Sequence, residues 1–288
     1  LNWATDTAAQ WRNEVLLPFF NQYLEADAPD AMLSAVYVYD TGLDHWDRPK
    51  SYPLSCEQGC PVPSQPLYLR EAGGLSFEPP AKDTAAKFDE YVSDPLHPVP
   101  YRPRPIDEDD DMGWRTWLVA DQRFAHERTD VLTYETEPLA KSMKLSGEPV
   151  VHLTASTTGT DSDWVLKLID VQPDHTAGSA KLSGYELPIA IEIFRGRYRT
   201  SFAHPEPIKS NQPLTYVFSL PMVNHTVLAG HRIMVQVQSS LFPLYDRNPQ
   251  RFVPNIFRAK SQEYQKATQR IWRQPGQASF VTLPVVPV

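Results

Sequence analysis

Apolar residues near the start of the chain recur at every fourth position, which places them on one face of a helix. The recurring residues are Trp11, Val15, Phe19 and Tyr23. Thr5 or Asp6 can cap the N-terminus of this predicted helix, and Pro18 predicts a kink inside it. The apolar face needs a partner. No pattern typical of another long helix follows until the QEYQKATQR stretch at 262–270.

From about residue 33 the pattern changes to short alternating runs that are bounded by turn residues. In one run, Leu214, Tyr216, Phe218 and Leu220 all face the same way. Further runs are AVYVYDTG, PLYLREAGGLSFEPP, VVHLTAS, DWVLKLIDV, YELPIAIEIF, HRIMVQVQSS and SFVTLPVV. Many short strands of this kind predict a mainly-β fold, an antiparallel β-sandwich or jelly roll.

Proline content agrees with this interpretation. The 288 residues include 28 prolines, spread along the chain, and proline is excluded from helix interiors and central strands. The longest Pro-rich stretch, 79–113, predicts a surface crossover without secondary structure. Its acidic run from Asp107 to Asp111 lacks the spaced ligands of a calcium loop, so we interpret it as a solvated charge cluster.

Composition excludes several classes of protein. Apolar residues make up 41% of the chain and charged residues 22%, as in an ordinary globular protein. The formal net charge of −8 argues against a nucleic-acid partner, and no run of about 18 apolar residues predicts a membrane span. The chain begins at Leu1 without a signal-peptide pattern, so we expect a fragment or a processed product.

The two cysteines, Cys56 and Cys60, lie in SCEQGCP. A zinc site needs four ligands, and no further Cys or nearby His supplies them. A short-loop disulfide and a pair of free thiols remain as alternatives. The disulfide is favoured, and it would indicate an oxidising compartment.

The stretch GTDSDWVLKLIDV at 159–171 holds a serine between two aspartates. Ser162 is not in a G-x-S-x-G elbow, and the flanking carboxylates oppose formation of an alkoxide, so we do not assign it as a nucleophile. Asp161 and Asp163 supply only part of a calcium shell. We prefer a turn whose side chains bond their own backbone, leading into a strand with Trp164, Leu166 and Leu168 on one face.

Histidines offer weak candidates for acid–base chemistry. His45 has Asp44 and Asp47 beside it in TGLDHWDRP, the pattern of a general base. His231 starts a predicted strand, and His225 lies in the loop before it. No histidine pairs with a recognisable nucleophile motif, so a hydrogen-bonded structural role is the expectation for each.

No residue pattern indicates a cofactor or a metal. We find no phosphate loop, no dinucleotide fingerprint and no HExxH motif. Asp246 and Arg247, which follow a predicted strand, are expected to hold their loop by an ion pair. The residues alone therefore predict no catalytic, cofactor-binding or metal site.

The stretch WLVADQRFAHERTDVLTYETEPL resembles the D-x-R…R-x-D-V-L-x-Y signature of the cocaine esterase and X-prolyl dipeptidyl aminopeptidase superfamily. The resemblance is closer still to the bacterial α-amino-acid ester hydrolases, or cephalosporin and penicillin-type acylases. It covers essentially the whole chain. Other segments that carry it are VLLPFFNQYL, TGLDHWDRP, STTGTDSDWVLKLIDV, GYELPIAIEIFRGRYR and NHTVLAGHRIMVQVQSSLFPLYDRNPQ.

The resemblance implies an enzyme of three parts: an α/β-hydrolase core with a Ser-His-Asp triad, a helical cap and a C-terminal jelly roll. The family's catalytic residues all precede the helix that begins near Thr5, so none is carried over to this chain. Residues 1–30 would be the terminal helix of the missing core, and residues 31–288, with the crossover 79–113, the jelly roll. The resemblance also implies a Cys56–Cys60 disulfide, a periplasmic or secreted location and a homo-oligomer.

Three functional hypotheses follow. By resemblance, the chain is the non-catalytic C-terminal domain of a serine hydrolase, which helps to wall the pocket for α-amino acid esters or β-lactam amides. Alternatively, it is a carbohydrate-binding or adhesion module with Trp46, Trp114 and Trp117 as a stacking platform, although packing in the core or between domains is the preferred role for these residues. A third hypothesis is one subunit of a split hydrolase.

Overall fold

The computed structural model describes residues 5–53, 64–81, 87–107, 109, 113, 116–176 and 179–287. The pair Cys56 and Cys60 therefore lies outside the described residues. Within them the chain is mainly β, with one helical segment at the N-terminus. The predicted fold class is confirmed.

The N-terminal helical segment begins with a capped turn. The Asp6 side chain accepts a 2.9 Å hydrogen bond from the Ala9 amide. The segment consists of α1 (Thr7–Trp11), a π-helical turn (Arg12–Leu16) and α2 (Leu17–Leu24). Pro18 is the second residue of α2, just after the π-helical turn. Since proline has no N–H group to donate, the regular hydrogen-bond ladder is interrupted where the sequence predicts a kink.

The strands begin and end as follows: β1 Val38–Asp40, β2 His45–Asp47, β3 Gln65–Leu69, β4 Leu75–Ser76, β5 Phe88–Ser93, β6 Leu132–Glu135, β7 Met143–Gly147, β8 Val150–Thr157, β9 Asp163–Val171, β10 Glu186–Arg195, β11 Leu214–Ser219, β12 Val223–Val227, β13 Arg232–Gln238, β14 Ala267–Trp272, β15 Phe280–Leu283 and β16 Val285–Val286. A short helix, α3 (Arg123–His126), precedes β6. A 3-10 turn at Trp117–Val119 lies before α3.

Two larger antiparallel sheets dominate the described residues. One has four strands in the order β10-β9-β13-β6. The other has seven, in the order β4-β3-β15-β8-β14-β5 with β11 paired to β8. The three-stranded sheet β12-β7-β16 and the hairpin β1-β2 complete the set.

The main hydrophobic core lies between the inner faces of the two large sheets. Trp164, Leu166 and Leu168 of β9 belong to it, as the alternation predicts. From the opposite sheet, Tyr216 packs against Trp164 with 5.4 Å between ring centroids. Along β11 the inward Tyr216 and Phe218 are buried while Thr215 and Val217 are exposed. This two-layer burial is that of a β-sandwich.

Two local interpretations were wrong. The crossover 79–113 contains a strand, since β5 pairs with β14 along its length. The 262–270 stretch is not helical: a 3-10 turn at Ser261–Glu263 precedes β14, whose residues alternate between buried and half-buried. Pairing with β5 and β8 makes residues 267–272 a strand, because the contacts within a sheet override a weak helix propensity.

Candidate functional site

The turn into β9 is completely buried. Asp161, Ser162 and Asp163 are each at most 1% exposed. The Ser162 amide donates a 2.9 Å hydrogen bond to the Asp161 carboxylate, which is the local turn that the sequence predicts. The Ser162 hydroxyl donates to the Asp163 carbonyl at 3.4 Å. These bonds give the serine a structural environment.

Asp161 has a long-range partner that the sequence did not reveal. Nε of Arg197 donates to its Oδ2 at 2.9 Å, and Nη2 of Arg197 donates to the Val253 carbonyl at 2.7 Å. The Arg197 guanidinium also lies 4.6 Å from the centre of the Phe252 ring. Burial raises the pKa of Asp161, and the charge of Arg197 opposes this. The pair joins the start of β9 to two distant loops.

Asp163 is held on the other side of the turn. Its Oδ1 accepts a 2.8 Å hydrogen bond from Asn248, and its Oδ2 lies 3.9 Å from Nε of Arg195. Burial raises the pKa of Asp163 to about 7. Both aspartates of the stretch therefore act as buried anchors.

The expected ion pair between Asp246 and Arg247 is not formed. Asp246 pairs with Arg195 of β10 instead. Arg247 donates to the Pro95 carbonyl at 3.0 Å and lies over the rings of Phe242 and Tyr264. Adjacent side chains on this extended loop reach different neighbours, which explains the error.

The hairpin β1-β2 is anchored to β12 by a buried carboxylate. Oδ1 of Asp40 accepts hydrogen bonds from the amides of Gly42, Leu43 and Thr226, at 2.9, 3.0 and 3.1 Å. Lys144 lies 3.1 Å from its other oxygen. Burial would raise the pKa of Asp40, but these hydrogen bonds outweigh it and the pKa lies below its ordinary value.

Gly42 lies against the backbone of β12. A Cβ atom at this position would be 1.9 Å from the Thr226 carbonyl oxygen, closer than any real contact. Only glycine permits this approach. The glycine of the TGLDHWDRP motif thus allows the hairpin to lie close enough to β12 for its polar contacts to form.

His45 lies at the outer edge of the hairpin. Its Nε2 is 3.0 Å from Asp47 Oδ1, so Asp47 rather than Asp44 is its hydrogen-bond partner. Asp47 also accepts hydrogen bonds from Lys144 and Asn224, at 2.5 and 2.7 Å. These bonds give His45 a place in a structural network rather than beside a nucleophile.

A second histidine cluster is buried beneath the hairpin. Asp170 of β9 lies between two rings: His225 Nε2 at 3.1 Å from Oδ2 and His231 Nδ1 at 2.8 Å from Oδ1. The other ring nitrogen of His225 is 2.8 Å from the Thr41 hydroxyl. His225 lies in β12 and not in the loop that the sequence predicts, because this segment pairs with β7. The sequence suggested hydrogen-bonded histidines, but it gave no sign of Asp170 or Thr41 as the partners, because both are remote along the chain.

A comparison with protein families identifies the family of this chain. A profile for the X-Pro dipeptidyl-peptidase C-terminal non-catalytic domain matches residues 32–282. This chain belongs to that family. Its domain is therefore the non-catalytic C-terminal domain of a hydrolase family, as the signature residues indicated.

Individual relatives of this C-terminal domain include esterases and a peptidase. The cocaine esterase of Rhodococcus sp. (strain MB1 Bresler) is 31% identical over 278 residues, covering 93% of this chain and 45% of the esterase. A structure of an α-amino acid ester hydrolase labelled with selenomethionine is 58% identical, with a TM-score of 0.96 over 99% of this chain and 46% of that one. An aminopeptidase from a marine sediment archaeon, Thaumarchaeota archaeon, is 47% identical, with a TM-score of 0.93 over 100% of this chain and 46% of its own. The chain thus spans about half the length of these relatives.

The family signature of this C-terminal domain forms two ion pairs around α3. Asp121 accepts two guanidinium hydrogen bonds from Arg123, and its Oδ1 lies 3.3 Å from the Glu186 amide of β10. Arg128 donates to both oxygens of Asp130, at 2.8 and 2.7 Å. Bidentate geometry of this kind is rigid. The signature thus attaches the segment before β6 to the edge of the four-stranded sheet.

The tryptophans proposed as a sugar platform are packed against the domain where the structure describes them. Trp46 is half-buried, contacts the Tyr39 ring edge-on at 5.2 Å and donates to Gln10 Oε1 at 3.2 Å. Trp117 contacts the Tyr101 ring at 5.4 Å. Trp114 lies outside the described residues.

The described part of the chain contains no group of three or more His, Cys, Asp or Glu side chains placed to hold a metal ion. None of its helices is long and apolar enough to cross a membrane. Of the acidic run, the structure describes Asp107 and Asp109, and both are exposed.

The N-terminal helical segment exposes apolar side chains on two sides. Trp11, Val15, Phe19 and Tyr23 line a cleft of about 640 Å³ against residues 30–37. A second stripe points elsewhere and is open to solvent: Leu17, Phe20 and Leu24 are 55%, 47% and 76% exposed. A helix that is apolar on more than one side is typical of a buried element.

Proposed function

We propose that this domain forms the C-terminal part of a serine hydrolase that acts on α-amino acid esters or β-lactam amides. In that enzyme it would help to wall the substrate pocket and contribute contacts to an oligomer, in a periplasmic or secreted location. Support comes from the 58% identical structure, which is named an α-amino acid ester hydrolase. The reaction would be hydrolysis or acyl transfer, with the catalytic serine supplied by another part of the protein.

The exposed stripe of Leu17, Phe20 and Leu24 is the observation that carries this proposal. Exposure of three large apolar side chains at helical spacing to water is unfavourable. Burial of even half of each side chain would stabilise a contact by roughly 1 kcal/mol per side chain. A catalytic domain that packs on α2 would supply this burial. The relatives have more than half of their length outside the matched region, which is long enough for such a domain.

The hairpin β1-β2 would transmit this contact to the sandwich. It touches the helical segment through Trp46 and Gln10, and Arg48 lies 4.0 Å from Glu14. It is bonded to β12 through Asp40 and Thr41. A helix packed on the catalytic domain would thereby hold the sandwich loops at a defined position beside the substrate pocket.

The proposal is tested first with the 288-residue chain alone. We expect no hydrolysis of phenylglycine methyl ester and no labelling by a serine-directed phosphonate probe. We then expect the chain to bind the separately produced remainder of the 58% identical hydrolase and to increase its turnover. Hydrolysis with a single labelled serine in this chain would contradict the proposal.

A matched variant tests the contact surface. Changing Leu17, Phe20 and Leu24 to Gln should weaken binding of the catalytic part about 100-fold, since about 3 kcal/mol of apolar burial is lost. The control is Val217→Gln, which is 53% exposed on the sandwich and should leave binding unchanged. Equal binding by both variants would overturn the assignment of this surface.

The other hypotheses have less support. Trp46 and Trp117 are both engaged in packing, so no described feature favours a carbohydrate platform. A split hydrolase requires the same contact surface as the proposed enzyme. Co-purification of a second polypeptide that carries G-x-S-x-G would identify it.

A further inference from the structure

A cavity of about 260 Å³ lies beside β10, the edge strand of the four-stranded sheet, next to the Trp117–Val119 turn. Its walls include Leu187, Ile189 and Ile191 from the strand and Val119 from the turn. The strand has a register shift between Pro188 and Ala190, where it pairs irregularly with β9. None of the described residues that line the cavity is charged. Its interior therefore suits a neutral, apolar group.

Thr41 is a polar residue in this otherwise largely apolar lining, and its hydroxyl oxygen also lies 3.5 Å from the Asn224 carbonyl. The hydroxyl oxygen is 2.8 Å from His225 Nδ1, and His225 Nε2 is 3.1 Å from Asp170. His225 and Asp170 are 1% and 3% exposed, so water does not compete for these bonds. A second histidine, His231, holds the other oxygen of Asp170 at 2.8 Å. The hydroxyl thus lies at the end of a buried chain of hydrogen bonds.

The direction of these hydrogen bonds decides whether the Thr41 hydroxyl can accept a hydrogen bond from a ligand. Burial would raise the pKa of Asp170, but the hydrogen bonds from His225 and His231 outweigh it and lower the pKa. The carboxylate therefore accepts the proton on Nε2 of His225. With Nε2 directed at Asp170, Nδ1 faces the Thr41 hydroxyl, which can donate to Nδ1 at 2.8 Å or to the Asn224 carbonyl at 3.5 Å. When the hydroxyl donates to either acceptor, the Thr41 oxygen keeps its lone pairs for a hydrogen-bond donor.

The same array lacks the features of a nucleophilic site. The amide of Thr41 donates to the Asn224 carbonyl at 3.1 Å. The next two amides, of Gly42 and Leu43, donate to Asp40. These neighbouring amides are therefore committed and cannot stabilise an oxyanion. The arrangement is suited to orienting a ligand rather than to acyl transfer.

We propose that this cavity binds a neutral aromatic group that carries one hydrogen-bond donor, with the donor directed at the Thr41 oxygen. An apolar cavity of about 150 Å³ accepts benzene, so the space here accommodates a bicyclic ring such as indole. Binding of such a ligand requires only residues of this chain. This binding is separate from the proposed hydrolase role and can be measured without an assay of hydrolysis.

The test compares indole with 1-methylindole, which has the same shape but no N–H donor, by ligand-observed NMR titration of the purified protein. We expect saturable binding of both, with indole about two- to tenfold tighter because it makes one further hydrogen bond. Thr41→Val should abolish this difference. Thr215→Val, on the exposed side of β11, is the matched control and should retain it.

A second variant keeps the proposal falsifiable if Thr41→Val does not fold. Ile189→Trp fills the cavity from its wall and should remove binding of both compounds, with the fold checked by circular dichroism. Absence of saturable binding to the unaltered protein would overturn the proposal. So would equal affinities for the two compounds, or binding that survives Ile189→Trp.

Discussion

Asp161 and Arg197 form a charge pair in the interior of the sandwich, with Nε of Arg197 donating to the carboxylate at 2.9 Å. The two side chains are 0% and 2% exposed. Removal of one partner would leave a buried charge without compensation, which costs about 3–5 kcal/mol. The short stretch around Ser162 is therefore a stabilising element of the fold.

Arg197→Met should lower the free energy of unfolding by about 3–5 kcal/mol, measured by urea denaturation at pH 7. The matched control is Arg48→Met, since Arg48 and Glu14 are both more than half exposed and 4.0 Å apart. An exposed pair contributes about 0–1 kcal/mol. Similar losses in both variants would contradict the structural role of Arg197.

Asp163 should make stability depend on pH with an unusual sign. Burial raises its pKa from 3.8 to about 7, so the folded state binds the proton more tightly than the unfolded chain. Its stabilising contribution is complete below about pH 4 and is lost as the pH rises to about 7. Relative to the unaltered protein, Asp163→Asn should thus become progressively more stable between these values, as denaturation at several pH values will show. A difference that is constant with pH would count against the raised pKa.

Asp170→Asn should destabilise the domain by about 2–4 kcal/mol, because a buried carboxylate that holds two histidines is replaced by a neutral amide. Asp174→Asn serves as the control, since Asp174 is 73% exposed and makes a single 3.3 Å contact to Arg232. We expect a change within about 0.5 kcal/mol for the control. Thermal denaturation of the two variants side by side distinguishes them.

Gly42→Ala should release the hairpin β1-β2 from β12. The added methyl group would lie 1.9 Å from the Thr226 carbonyl oxygen, so the hairpin backbone must move away. We expect a loss of at least about 2 kcal/mol and faster hydrogen exchange at the Thr41 amide. Gly74→Ala is the control, because its nearest contacts would be an ordinary 3.5 Å. Unchanged exchange in Gly42→Ala would refute the close docking.

The isolated chain should self-associate through its helical segment. The Leu17, Phe20 and Leu24 stripe and the partly exposed face of Trp11, Phe19 and Tyr23 have apolar surface that a second copy can cover. Light scattering at increasing concentration should show a rising mean mass, which Gln substitutions along the stripe reduce. A monomer at all concentrations would show that the exposed stripe is tolerated in water.

The strands with regular alternation were predictable because burial on one side imposes a period of two on the sequence. β11 shows this most clearly: its inward residues Tyr216 and Phe218 are in the main core, whereas Thr215 and Val217 are exposed. The cap residue Asp6 was also predictable, since an N-cap acts within a few residues. β5 and β14 were missed because their pairing, rather than their own pattern, makes them strands.

The sequence by itself determined the mainly-β class, the positions of the central strands and, through its signature residues, the family. The tertiary structure alone decided the partners of the polar side chains. Arg197 lies 36 positions from Asp161, and His225 lies 184 positions from Thr41. Hydrophobic alternation is local and repeats along a strand, whereas a buried charge needs one partner, and the fold can bring that partner from any part of the chain.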